Sequence, residues 1–311
     1  VRQFIDHLLV FSEKIEKLDV FLVSLGGDGV VPWRLVPIFR EYTDHFNVLI
    51  PYKAYSAATI MALGANEIVM HKFGALGPID PTVTNEFNPI EAGSNRKLGI
   101  SVEDVKAYVS FIKETVGIKH EEELVRTIEI LVNKIHPLAL GNVERFIAQS
   151  RMVARKLLTL HTDKSKQHTL DAIIDALASK LYFHGHPINR VEAKELGLEV
   201  ADAVAPELEK LMWDLYVDFE TELKFQEHFD PMGKLFANVQ VGQLGQPGIF
   251  TELTRVEEDM TWVVVESTTR SSRYETKTRH SLWSDPQLQQ TLATTNLSQM
   301  WRQELPPQPQ P

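Results

Sequence analysis

Two short apolar runs, each ending in a turn of small residues, constrain this chain more than any other feature. Val20-Phe21-Leu22-Val23 leads into Ser24-Leu25-Gly26-Gly27-Asp28-Gly29, and Asn47-Val48-Leu49-Ile50 leads towards Tyr55-Ser56-Ala57-Ala58. A segment with helical apolar spacing follows each turn. Strand, turn and helix repeated in that order predict an α/β fold with neighbouring parallel strands, whose C-terminal ends share one sheet edge, the usual place for a ligand. A glycine pair lets backbone N–H groups face a developing oxyanion. A serine at a strand-to-helix turn presents its hydroxyl beside N–H groups that have no intrahelical partner. Nucleophile and oxyanion donors are the minimum for acyl transfer.

The same alternation carries through residues 1–80, with a helix expected over 5–18 and a further strand at Glu67-Ile68-Val69-Met70. The stretch 57–65 is small and apolar all round, as for a helix buried against a sheet. From Ser101 to about residue 164 the pattern is helical. One helix opens at Ser101-Val102-Glu103-Asp104, and a second shows an apolar face of Val125, Ile128, Leu131 and Val132. A third is expected to begin after a Gly141-Asn142 break and to bury Val143, Phe146, Ile147 and Val153. Further helices are expected over 169–180, 190–196 and 206–225, then a linker over 242–250. Strands at 261–265 and 274–278, around Arg270-Ser271-Ser272-Arg273, predict a hairpin. The expected organisation is a catalytic domain over 1–205, a C-terminal helix and β-hairpin extension over 206–285, and a disordered tail over 286–311.

Composition closes off several function classes. A formal net charge of −10 argues against nucleic acid as the main partner. The chain has no cysteine, which excludes a thiol nucleophile, thiolate metal sites and a disulfide framework. No apolar run reaches the ~18 residues of a membrane span. Because the chain opens at Val1 on an amphipathic segment, residues upstream are expected, a signal or membrane anchor among them.

Five islands together resemble one family. Ser24-Leu25-Gly26-Gly27 resembles the Ser-Pro-Gly-Gly oxyanion loop of the ClpP and signal-peptide-peptidase (SppA) serine proteases, and Tyr55-Ser56-Ala57-Ala58 resembles their nucleophile turn. The run from Ala62 to Met70 is similar to the family's helix end and next strand. Gly74-Ala75-Leu76-Gly77-Pro78-Ile79-Asp80-Pro81 resembles most the serine dehydrogenase proteinase (SDH) branch. The segment from His186-Pro187-Ile188 through Glu192-Ala193-Lys194-Glu195-Leu196-Gly197-Leu198 is similar to the late Ala-Lys-Glu-Leu-Gly-Leu element of these proteases. The resemblance covers roughly 15–205 and leaves 206–311 unmatched. It implies a Clp/crotonase-like spiral of ββα units with a helical segment, hydrolysis of peptides or proteins, homo-oligomers that enclose the active sites, and no cofactor. A cytoplasmic location goes with it, with membrane association left open by the expected upstream segment. Leu25 stands where relatives carry proline, and no histidine follows Ser56 at the ClpP interval.

On this resemblance Ser56 is the nucleophile, and the amides of Gly26 or Gly27 and Ala57 hold the oxyanion. The competing reading of Ser56 is a helix cap. Asp28 is expected to cap the helix after the glycine turn. For the proton acceptor the SDH order Ser…Asp…His nominates Asp80 and His136. An SppA-like site instead needs a lysine whose pKa burial lowers, with Lys106, Lys113 and Lys134 as candidates. His71 lies nearer in sequence but follows a strand. His184-Gly185-His186 lacks further ligands for a metal and reads as a turn. Two other functions remain open at this point: crotonase-type acyl-CoA chemistry on the same amide pair, and a non-catalytic scaffold.

Overall fold

The computed structural model describes residues 1–80, 82–91, 97–162, 169–180, 185–228, 230–238, 251–284 and 290–304. The chain is mixed α/β, with helices and small parallel and antiparallel sheets. It divides into two compact units, one of Val1 with 11–214 and one of 2–10 with 215–311. Among the described residues no helix is long and apolar enough to cross a membrane.

The first unit is built on parallel strands. β1 (Leu18–Phe21), β2 (Phe46–Ile50) and β4 (Glu67–Met70) lie in the order β1-β2-β4, with Val20 beside Val48 and Val48 beside Ile68. The crossover α2 (Val31–Tyr42) buries Pro32, Leu35, Val36 and Phe39, spaced one turn apart on the face towards the sheet. Phe39 packs its ring 5.3 Å from that of Phe46. After β2 the chain turns at Pro51 and Tyr52 into the short β3 (Lys53–Ala54), then enters α3 (Ala57–Ala62), every residue of which is buried. β3 pairs in parallel with β5 (Ala75–Leu76), and β5 in turn pairs antiparallel with β8 (Ile188–Asn189). A two-stranded ladder joins β6 (Thr82–Val83) to β7 (Ile100–Ser101).

Helices enclose this frame. α4 (Val102–Ser110) continues into a π-helical turn over Phe111–Thr115, and α5 (Glu121–Val132) follows. Of the apolar positions on α5, Val125 and Ile128 are exposed and Leu131 and Val132 half-buried, and Ile128 lines a pocket with Tyr108, Val109 and Ile112, so the face expected to be buried is only partly covered. α6 (Pro137–Thr159) runs unbroken through Gly141 and Asn142, where the sequence predicts a start. Pro137 at its first position sets the helical φ early, and Ala139, Val143 and Ile147 pack with Ile100, which outweighs the ~1 kcal/mol cost of one interior glycine. α7 (Leu170–Asp175) with its π-helical end Ala176–Lys180, α8 (Arg190–Glu195) and α9 (Pro206–Glu222) complete the helices up to the boundary between the units, which falls within α9.

The second unit joins α1 (Arg2–Leu8) and α10 (Pro231–Asn238) to a three-stranded antiparallel sheet of β9 (Thr251–Glu266), β10 (Ser271–Ser284) and β11 (Gln290–Glu304), with β10 in the middle. The β9–β10 hairpin turns at Ser267–Arg270, just before the expected Arg270–Arg273, and its strands are far longer than the pattern predicts. Inside this unit His7 bonds through Nδ1 with Ser267 Oγ at 2.9 Å and through Nε2 with Ser272 Oγ at 3.1 Å.

Two expectations are corrected here. The helix expected over 5–18 stops at Leu8, and the Ile15 N–H donates to the Tyr42 carbonyl at 2.8 Å as the chain extends towards β1. The tail expected to be disordered from 286 forms β11 over Gln290–Glu304, because its Thr- and Leu-rich run fits a pleated ladder against β10. The proline-rich end and the expected linker over 242–250 lie outside the described residues.

Candidate active site

β1 and β2 run in the same direction, so the turns that follow them emerge at one end of the sheet. Beyond β1 the backbone continues alongside β3: the Ser24 N–H donates to the Lys53 carbonyl and the Tyr55 N–H to the Ser24 carbonyl, both at 2.9 Å. These bonds set the glycine turn directly against Ser56. A Cβ added at Gly26 would lie 2.8 Å from Ser56 Cβ, 3.0 Å from the Tyr55 carbonyl oxygen and 3.3 Å from Ser56 Oγ. Gly26 also adopts φ +108°, so only glycine meets both demands.

Ser56 holds φ 53° and ψ −115°. That is the first central position of a type II′ turn, which favours glycine, and the Ala58 N–H closes the turn on the Tyr55 carbonyl at 3.0 Å. A serine there is held against a cost of ~1–3 kcal/mol. Its hydroxyl makes no capping bond to α3, and no described residue hydrogen-bonds Ser56 Oγ. Among the described residues the hydroxyl of this half-buried serine is thus uncommitted.

The amides sort themselves. The Gly26 N–H donates to Ser24 Oγ at 3.1 Å. The Gly27 and Ala57 N–H groups donate to no acceptor among the described residues. Asp28 accepts the Val30 N–H on Oδ1 at 2.9 Å and the Val31 N–H on its carbonyl at 3.0 Å, fastening the turn to the start of α2.

Behind Ser56, residues the sequence did not single out support the turn. Thr59, one helical turn on and fully buried, shares its hydroxyl proton between the Ala54 carbonyl at 2.8 Å and the Gly77 carbonyl at 2.9 Å, and accepts the Gly77 N–H at 3.0 Å. The Tyr55 ring closes over Gly77, where a Cβ would come within 3.0 Å of it. A buried threonine in a run of alanines was the available signal.

Neither the expected acid nor the expected base hydrogen-bonds Ser56. Asp80 is buried beside Ile79, whose carbonyl accepts the Ser150 hydroxyl at 2.6 Å and whose N–H donates to the Leu177 carbonyl at 3.0 Å. His136 caps α6, its Nδ1 accepting the Leu138 N–H at 3.2 Å, and its ring stacks on Phe87 at 5.0 Å. Ser150 lies roughly 20 Å along α6 from that cap, at 1.5 Å per residue. Neither Ser56 and His136 nor Asp80 and His136 share a hydrogen bond. Lys106 is half-buried on α4, while Lys113 and Lys134 are exposed, and none of the three bonds Ser56.

His71 is buried between aromatic rings, 5.3 Å from Trp213 in a stacked arrangement and 5.0 Å from Phe73 edge-on. Its Nδ1 accepts the Phe73 N–H at 3.2 Å, and burial pushes its pKa down. His186 pairs with Glu192 at 2.9 Å, and His184 lies outside the described residues. Among the described residues no group of three His, Cys, Asp or Glu side chains is placed to hold a metal.

Comparison with known proteins finds two similar chains, both from Methanocaldococcus jannaschii. Uncharacterized protein MJ0137 is 23% identical over 205 residues, covering 66% of this chain and 60% of that protein. Uncharacterized protein MJ1495 is 26% identical over 199 residues, covering 64% and 56%. The matches thus take in less than two thirds of either relative's length. No family model matches the chain.

Proposed function

We propose that this chain is a serine peptidase of the Clp/SppA kind, close to the SDH branch, carried on a Clp/crotonase-like spiral of ββα units. The observation that supports this reading is the contact of Gly26 with a strained, uncommitted Ser56. Ser56 Oγ attacks the peptide carbonyl, and its proton passes to a base. The Gly27 and Ala57 amides receive the oxyanion, as neither is engaged elsewhere among the described residues. Collapse expels the amine with that proton and leaves an acyl ester on Ser56, which water hydrolyses by the reverse route. No cofactor enters this sequence, and the family's habit of forming homo-oligomers belongs to the same proposal.

No described residue bonds the Ser56 hydroxyl, and pH dependence identifies the base. Activity rising around pH ~6.5 assigns an imidazole, with Asp80 and His136 as the pair to mutate, whereas a lysine of lowered pKa places the rise higher.

The test is labelling by a fluorophosphonate together with cleavage of an unfolded protein substrate. Wild type is expected to label and cleave, and Ser56→Ala to do neither while keeping its fold. Turnover that survives Ser56→Ala overturns the reading. One observation favours a second reading: no described side chain bonds the Ser56 hydroxyl. Crotonase-type chemistry on a thioester would use the same two amides without a nucleophile, and a rise in melting temperature with acyl-CoA would mark it.

A further inference from the structure

The three-stranded sheet of the second unit has two unlike edges. β9 carries Glu252, Arg255, Glu257, Glu258, Asp259 and Glu266, the kind of charge that keeps an edge from pairing. β11 carries no Asp, Glu, Lys, Arg or Pro from Gln290 to Trp301. It is also exposed along nearly its whole length, with Leu292 at 41%, Met300 at 47% and Trp301 at 37% accessibility. Among the described residues β10 is its sole strand partner, so one row of backbone donors and acceptors faces outward. A β-bulge interrupts it. Lys277 faces Ser298 and Thr278 faces Asn296, which leaves Leu297 as the extra residue. The bulge bounds an uncharged run over 290–296 that pairs with β10 without a register shift.

We infer that this run is a self-association edge, pairing antiparallel with the same run of a second copy about a two-fold axis at Ala293. The two-fold places Thr291 opposite Thr295, Leu292 opposite Thr294 and Ala293 opposite its own copy. No charges meet, and threonine pairs are favourable cross-strand neighbours. Each copy's bulge flanks the paired run, so the contact ends there. An isologous contact of this kind consumes the uncharged edge of both chains and leaves the two acidic β9 edges outermost, where they repel further strands. The inference stands apart from the peptidase reading, because it uses no residue of the first unit.

The absence of cysteine makes a clean test, since one introduced thiol can pair only with its own copy. Residues facing across a two-fold antiparallel pair lie ~4.5–5.5 Å apart at Cα, within disulfide reach. Oxidised full-length Ala293→Cys is expected to run as a covalent dimer, and Leu297→Cys and Asp259→Cys as single chains. By sedimentation velocity, Thr291→Lys with Thr295→Lys is expected to lower the assembled mass, and Thr291→Lys with Thr295→Glu to restore it. An uncrosslinked Ala293→Cys, equal crosslinking through Asp259→Cys, or a mass unmoved by the double lysine would each overturn the inference. A peptide copying 290–296 that binds a chain sedimenting as a single copy would also overturn it, making the edge a receptor for foreign strands.

Discussion

The buried Thr59 hydroxyl exchanges two hydrogen bonds with Gly77, 3.0 Å from its N–H and 2.9 Å from its carbonyl oxygen. A third contact reaches the Ala54 carbonyl at 2.8 Å, so one side chain ties α3 to β3 and to the turn after β5. Thr59→Val keeps the shape and leaves three buried backbone groups short of a partner. It should cost about 2–4 kcal/mol in denaturant unfolding, whereas Thr59→Ser should cost less than half of that. Equal losses would show that packing of the methyl group, not the hydroxyl, holds the joint.

Backbone strain at Ser56 has a thermodynamic signature separate from any activity. Glycine tolerates φ 53° and alanine does not. Ser56→Gly should therefore be more stable than Ser56→Ala by about 1 kcal/mol. Matching melting curves for the two would mean that the turn carries no strain.

The two glycines of the turn should respond differently. A Cβ at Gly26 meets Ser56 at 2.8 Å, while one at Gly27 meets nothing within 4 Å. Gly26→Ala is expected to lower stability by about 2 kcal/mol more than Gly27→Ala. If the peptidase reading holds, Gly26→Ala also loses fluorophosphonate labelling, because Ser56 must move to admit the methyl group.

Stability should fall in mild acid. His161 is largely enclosed, its Nε2 2.8 Å from the Leu63 carbonyl; burial lowers its pKa, while that bond works to raise it. His71 is shifted in the same direction, first by burial. With folded values below the unfolded ~6.5, the unfolded chain takes up protons first as pH drops. The stabilisation is complete above about pH 6.5 and is lost progressively below it. Thermal melts between pH 7.5 and 5.5 should show this decline, and His161→Gln should flatten it. An unaltered slope in that variant would clear His161 of responsibility.

How much of this was legible in the chain depends on the range of the interaction. β4 at Glu67–Met70 and the ordered pair of turns followed from local patterns, because alternation, small residues and glycine act within a few positions. The placement of Gly26 against Ser56 also followed, since parallel strands leave little choice of edge. The Gly141–Asn142 position misled because the packing that carries α6 through it comes from Ile100, distant in sequence. His136 illustrates the same limit: its bond to Leu138 shows that it caps α6, and nothing local in the sequence separates a cap before Pro137 from a base. β11 was hidden because a strand on an outer edge needs no apolar face, so its composition resembles that of a loop.

The discontinuity of the second unit bears on how the chain emerges from the ribosome. α1 belongs with a sheet whose strands are translated more than two hundred residues later. At ~5–20 residues per second, the nascent helix waits roughly 12–60 s for its partners. During that interval the parallel-stranded body can complete itself with no contribution from α1. α1 is consequently enclosed late, a timing that leaves it open to chaperones or proteases until the sheet has been made.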